Sequence, residues 1–167
     1  MAKSKKNIKK TAIDDSGRSM VEMIGVLAVM GLITAGAFVL ITGGMASQKR
    51  NRTSDDFANI AANIRGLFVE ADDFSSLPTS TTQGTALLNA LQISSKTPFG
   101  GNTTYSVVKG TEEHGSGDYS NIKPDDYFII KMSGLSEDDC WALVSRSWGQ
   151  AFDESCEGNV LSIYYLK

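Results

Sequence analysis

Hydrophobic and polar positions follow two different rules along the first half of this chain. From Met23 to Gln48 no side chain carries a charge, a run of 26 residues. About 20 apolar residues suffice to cross the hydrocarbon core of a bilayer. After Lys49, Arg50 and Arg52 the pattern changes to one apolar stripe at helical spacing: Phe57, Ile60, Ala61, Ile64, Leu67, Phe68 and Ala71. Asp55, Asp56, Asn59, Asn63, Arg65 and Glu70 fill the other positions. This periodicity predicts an amphipathic helix. The two segments together predict one helix from about Ser19 to Asp73, apolar all round in its first part and striped in its second. At 1.5 Å per residue it would be roughly 80 Å long.

Beyond it the signals shorten. Ser75 to Gly84 is a Ser/Thr-rich connector containing Pro78. Leu87, Leu88 and Leu91 predict a short helix over Thr85 to Ile93. β-branched and aromatic residues predict strands over Thr103 to Val108, Tyr127 to Met132 and Val160 to Leu166. Pro98 to Asn102 reads as a turn, and the polar, Gly-rich stretch from Thr111 to Asp126 as a long loop. Ser136 to Trp148 reads as a helix, with Ser136 and Asp139 as a capping box and Glu137 and Asp138 in its first turn. On that helix Trp141 and Trp148 would share a face and pack on the sheet. The fold class expected is therefore α+β: a long N-terminal helix packed on an antiparallel head.

Charge adds direction. The formal net charge is −3, but the first 17 residues carry five lysines against Asp14 and Asp15, and the rest carries 11 basic and 17 acidic side chains. A basic leader before an apolar run stays cytoplasmic while the acidic remainder is exported. Basic residues outside the leader are too scattered to make nucleic acid the main ligand. Cys140 and Cys156 both fall in the exported part, where an even cysteine count favours one disulfide; two free buried thiols are the alternative. A cleaved secretory signal competes with the anchor, since Ala35-Gly36-Ala37 has a small-x-small form. The apolar run continues past it through Phe38-Val39-Leu40-Ile41.

One carboxylate, Glu22, stands at the head of the apolar run. A charge inside a membrane-length helix costs roughly 2.5–3.5 kcal/mol on insertion scales, so it implies a partner. A charge snorkelling at the membrane edge is the plainer reading. Gly36, Gly43 and Gly44 interrupt the run, each costing about 1 kcal/mol in a helix interior, and mark points of flexibility. No catalytic constellation appears. There is no GxSxG, Walker A or CxxC motif, and the lone His114 sits in a Gly-rich acidic loop that matches no EF-hand. Neither an enzyme nor a cofactor nor a metal site is expected.

Gly17, then Glu22 five positions on, then the uncharged run, resembles the prepilin-type cleavage and methylation motif of type IV pilins over about Asp15 to Met45. The resemblance implies that a prepilin peptidase cuts between Gly17 and Arg18 and methylates the new amine. It implies three parts: a leader at 1–17, an apolar transmembrane and filament-core helix at 18–52, and a head at 53–167. Thr97-Pro98-Phe99-Gly100-Gly101 and the Cys140-Trp141-Ala142-Leu143 helix are similar to type IVb-like major pilins. There the Cys140–Cys156 pair resembles the disulfide bounding the carboxy-terminal variable region. Partners so implied are the peptidase, the inner-membrane assembly machinery, the membrane, and copies of the chain itself in a helical homopolymer. Glu22 would accept a neighbour's amino-terminal amine and so set axial register, because a buried charge left unpaired costs about 3–5 kcal/mol. Localisation would pass from the inner membrane to an extracellular filament bearing adhesive heads. A minor pilin or secretion pseudopilin shares the anchor. A tethered binding module or enzyme is the rival from another class. Two departures stand out: Arg18 replaces the usual hydrophobic first residue, and no proline interrupts the apolar run.

Overall fold

The computed structural model describes residues 20–116 and 119–167. The first element is a helix, α1 (Met20–Leu67), of 48 residues. The chain divides into two compact units, 1–44 and 45–167.

In the first unit the threonine hydroxyls of α1 are served locally. Thr34 Oγ1 donates to the Met30 carbonyl at 2.7 Å, and Thr42 Oγ1 to the Val39 carbonyl at 2.9 Å. Neither hydroxyl then needs a partner from outside the helix, which suits an apolar surrounding.

The second unit is built on the striped part of α1. Phe57, Ile60, Ala61 and Ile64 recur at helical spacing and are all buried. They pack under a four-stranded antiparallel sheet whose strands are β1 (Thr104–Lys109), β4 (Tyr127–Ser133), β6 (Val160–Leu166) and β5 (Ala151–Glu157), side by side in that order. Period-two alternation sends Tyr105, Val107, Phe128, Ile130, Met132, Leu161, Ile163 and Tyr165 into this core. The opposite face carries a smaller cluster, Val108, Ile122, Tyr127 and Ile129. Ile122 there comes from β3 (Tyr119–Ile122), which pairs with β2 (His114–Ser116) in a separate two-stranded sheet. The fold is thus α+β, one long N-terminal helix with an antiparallel four-stranded sheet, consistent with the pilin fold.

Several boundaries differ from expectation. The first helix stops at Leu67, not Asp73. Phe74 turns back into the core, between Phe68 and Phe128 at centroid distances of 5.2 and 4.9 Å, and its N–H donates to the Asp125 carbonyl. That burial outweighs the continued helical spacing through Ala71. The next helix, α2 (Thr81–Ala90), begins a turn earlier than expected because Ser80 caps it, accepting from the Gln83 N–H. It ends before Ile93, where Gln92 takes a left-handed φ of 59°. Gly84 lets α2 lie against β1: a Cβ there would collide with the Val107 backbone.

The stretch 111–126 is not only loop, since it holds β2 and β3. The helix α3 (Glu137–Val144) is shorter than Ser136 to Trp148. Ser136 caps it as expected, its Oγ accepting from the Asp139 N–H at 3.2 Å. Strand β5 is a further strand, which the pattern of apolar residues does not announce.

Candidate functional site

The candidate site is the apolar part of α1 with its two flanks. Glu22 lies in the first turn of α1 and is exposed. Behind it Met23, Ile24, Val26, Leu27, Val29 and Met30 are exposed too, as are Leu32, Ile33 and Phe38 to Ile41. No other part of the described chain exposes a comparable run of large apolar side chains. An apolar surface of this extent marks a membrane or protein contact. This apolar helix suggests membrane association. Gly36, Gly43 and Gly44 all fall inside α1, and nothing stands within 4 Å of where a Cβ would be built on any of them. Each therefore leaves room for close approach by another helix. Gly17 and Arg18 lie outside the described residues.

On the head side, Lys49, Arg50 and Arg52 follow directly. Arg50 reaches Asp139 of α3, 4.0 Å away, and Arg146 Nη2 donates to Asn51 Oδ1 at 2.9 Å. These contacts hold α3 beside residues 50–51 of α1. One turn on, Asp56 accepts a hydrogen bond from the Tyr105 hydroxyl at 3.1 Å. Partial burial raises the Asp56 pKa from its ordinary value; the Tyr105 bond pulls the other way. Burial, with the nearby Asp56 charge, pushes the Tyr105 phenol well above its usual value.

At the far end of α1, Arg65 clamps the last strand. Its Nε and Nη2 donate to the Leu166 carbonyl at 3.0 and 2.8 Å, and Nη1 donates to Gln150. The guanidinium sits 5.7 Å from the Tyr165 ring centroid. Arg65 read in sequence as one more solvated charge on the polar side of the stripe. Nothing in its spacing marks the carbonyl it binds, 101 positions away.

Cys140 and Cys156 form a disulfide, tying α3 to β5 with Cα atoms 6.0 Å apart. The two tryptophans part company. Trp148 lies past the end of α3, is 7 % exposed, meets Phe57 at 4.8 Å and donates Nε1–H to the Leu143 carbonyl. Trp141 is 55 % exposed. The expected shared face fails because α3 ends at Val144, so the backbone carries Trp148 inward by itself. His114 falls in β2. Among the described residues no three His, Cys, Asp or Glu side chains come together as a metal site would require.

The exposed apolar helix and the disulfide fit a pilin-like protein. Compared with the known protein families, the curated proteins and the solved structures, the chain gives no match in any of the three.

Proposed function

We propose that this chain is a type IV pilin precursor and that its mature form is the structural subunit of a pilus filament, of the type IVb-like major class. One observation carries the reading. Within a single helix, Phe57, Ile60 and Ile64 are covered by the chain's own sheet while the large apolar side chains from Met23 to Ile41 stand exposed among the described residues. An apolar half without an intramolecular partner needs an external one. A bilayer supplies it before assembly and neighbouring helices supply it afterwards, at about 25 cal/mol per Å² of apolar surface buried.

Glu22 is the reason to prefer assembly over a plain tether. Cleavage after Gly17 creates an amine at Arg18, and Glu22 of a neighbouring subunit accepts it. The pair fixes register more than it adds affinity. Arg18 places a second cation beside that amine. The heads form the filament surface and make its contacts, adhesion or aggregation among them. The subunit catalyses nothing, and a separate assembly ATPase drives extension.

Two measurements test this. Mass spectrometry of the mature chain is expected to find a methylated Arg18 at the amino terminus; a chain starting at Phe38 would mean ordinary signal cleavage instead. Glu22→Ala is expected to abolish filaments while leaving the precursor in the membrane. Filaments of normal yield from that variant would rule out the pairing role.

A further inference from the structure

The head has an exposed feature that its own folding does not use. Trp141 is 55 % exposed, and its ring meets no other ring and its N–H no acceptor among the described residues. Tryptophan left half in water is typical of contact surfaces, being large, apolar and equipped with one donor. The helix that carries it is held from two sides. The Cys140–Cys156 disulfide ties α3 to β5, and the Arg50–Asp139 and Arg146–Asn51 contacts hold it beside residues 50–51 of α1. Those contacts also sort the charges, since Asp139 and Arg146 are taken up on the α1 flank. Glu137 and Asp138, one turn before Trp141 and on its side of the helix, have carboxylates with no ion pair or hydrogen bond among the described residues. Glu154 joins them from β5. It lies opposite Ile163, as Cys156 lies opposite Leu161, and both partners belong to the core, so Glu154 shares with Cys156 the face turned to α3. From Glu137 to Glu157 the chain has six carboxylates and a single cation, Arg146, which fixes the sign of any partner this face attracts.

We propose that Trp141, with Glu137, Asp138 and Glu154, forms a docking face for an extended lysine- or arginine-rich segment of a partner protein. A basic side chain lies over the Trp141 ring, drawn by the negative face of its π-system, while its apolar stem covers the ring. Neighbouring basic side chains of the segment meet the carboxylates in charge-assisted hydrogen bonds. The carboxylates are strung out over α3 and β5, and among the described residues no three of them gather as a metal ion would require. A ligand with its charges in a row suits that spread better than a single ion does. A second copy of the head is the poorer occupant. Residues 45–167 carry 10 basic and 16 acidic side chains, so two heads repel. The disulfide and the contacts to residues 50–51 keep the face preformed, so docking orders little of the head. The face belongs to the head alone and does not depend on filament assembly.

The test uses the full chain in a maltoside detergent, labelled with 5-fluorotryptophan, whose two resonances are assigned with Trp141→Phe. The probe is a capped octalysine peptide. It is expected to shift the Trp141 resonance saturably and to leave that of Trp148 in place, while a capped octaglutamate peptide moves neither. Affinity is read from the anisotropy of dye-labelled octalysine. Glu137→Gln/Asp138→Asn/Glu154→Gln is expected to weaken binding about fivefold or more, the scale of three exposed ion pairs. Trp141→Ala is expected to weaken it about threefold, the scale of one exposed cation–π contact. Glu112→Gln/Glu113→Gln/Asp126→Asn removes as many exposed carboxylates elsewhere on the head and is expected to stay within about twofold of the parent. The Trp148 resonance reports that each variant is folded. Octalysine that binds without moving Trp141, or that the two triple variants weaken equally, overturns the docking face, since net charge alone then holds the peptide. Full affinity in Trp141→Ala overturns the ring contact, and no binding at all overturns the proposal. Self-association of the chain that octalysine disperses overturns the partner-protein occupant in favour of a second copy.

Discussion

Phe57 shows what a single side chain does in this head. It touches Tyr105 edge-on at 5.5 Å and Trp148 at 4.8 Å, and is fully buried where helix and sheet meet. Phe57→Ala is expected to cost about 3–5 kcal/mol, the range for deleting a buried aromatic ring. The shift of the urea midpoint of the detergent-solubilised protein measures it, and a loss under about 1 kcal/mol would place Phe57 outside the core. Tyr105 and Tyr165 respond to pH. Burial pushes the Tyr165 phenol up to about 12, with Arg65 opposing, and Tyr105 goes up for the same first reason. An unfolded tyrosine ionises near pH 10. The folded state therefore holds these protons more tightly. The stability they contribute is fully present below about pH 10 and is lost as pH rises through about 12 for Tyr165 and higher still for Tyr105. Alkaline titration followed by phenolate absorbance should show Tyr105 and Tyr165 ionising together with loss of the fold. Ionisation of both near pH 10 with the circular dichroism unchanged would contradict it. Phe57 and Ile64 were legible in the sequence as a stripe. The roles of Tyr105 and Arg65 were not, because each depends on a partner brought close only by the sheet.

Elements with strong periodicity were read correctly in kind. The striped part of α1 and strand β6 were clear because every second or every third-to-fourth residue is apolar. Strand β5 was missed for a physical reason. It is an edge strand with Asp153, Glu154 and Glu157 along it, and only Ala151, Phe152 and Cys156 give it apolar contact. Charges at a sheet edge discourage pairing with another chain, and they erase the alternation that would announce a strand. The β2–β3 hairpin was missed because its strands span only three and four residues, too short for an alternation to announce them. With so little apolar contact of its own, β5 depends on the disulfide to α3. Its loop spans a sequence separation of 16, for which chain entropy gives about 3 kcal/mol. The Cys140→Ser/Cys156→Ser protein is expected to lose about that much stability. Amide exchange should rise in β5 and α3 before it rises in β4, which is paired on both sides. Exchange that rises equally across all four strands would mean the disulfide supports the whole sheet and not this edge.

For the whole molecule the question is whether the head needs the apolar unit to fold. The core of unit 45–167 is drawn from residues no earlier than Phe57, and its strands, helices and disulfide all lie within it. Met20 and the large apolar side chains from Met23 to Ile41, by contrast, stand exposed among the described residues. Removing 1–44 therefore takes away apolar surface that water must otherwise cover, and leaves every residue of that core cluster in the chain. The chain from Met45 to Lys167 is expected to be soluble without detergent, monomeric by sedimentation, and within about 1 kcal/mol of the detergent-solubilised parent in stability, the margin for loss of surface residues. The same deletion should abolish partition into a detergent-rich phase, whereas the full chain partitions there. A truncated head that aggregates or melts far below the parent would show that 1–44 supports the fold. Glu22 would then carry a structural duty in the subunit itself, and its effect on filaments could no longer be assigned to contact between copies.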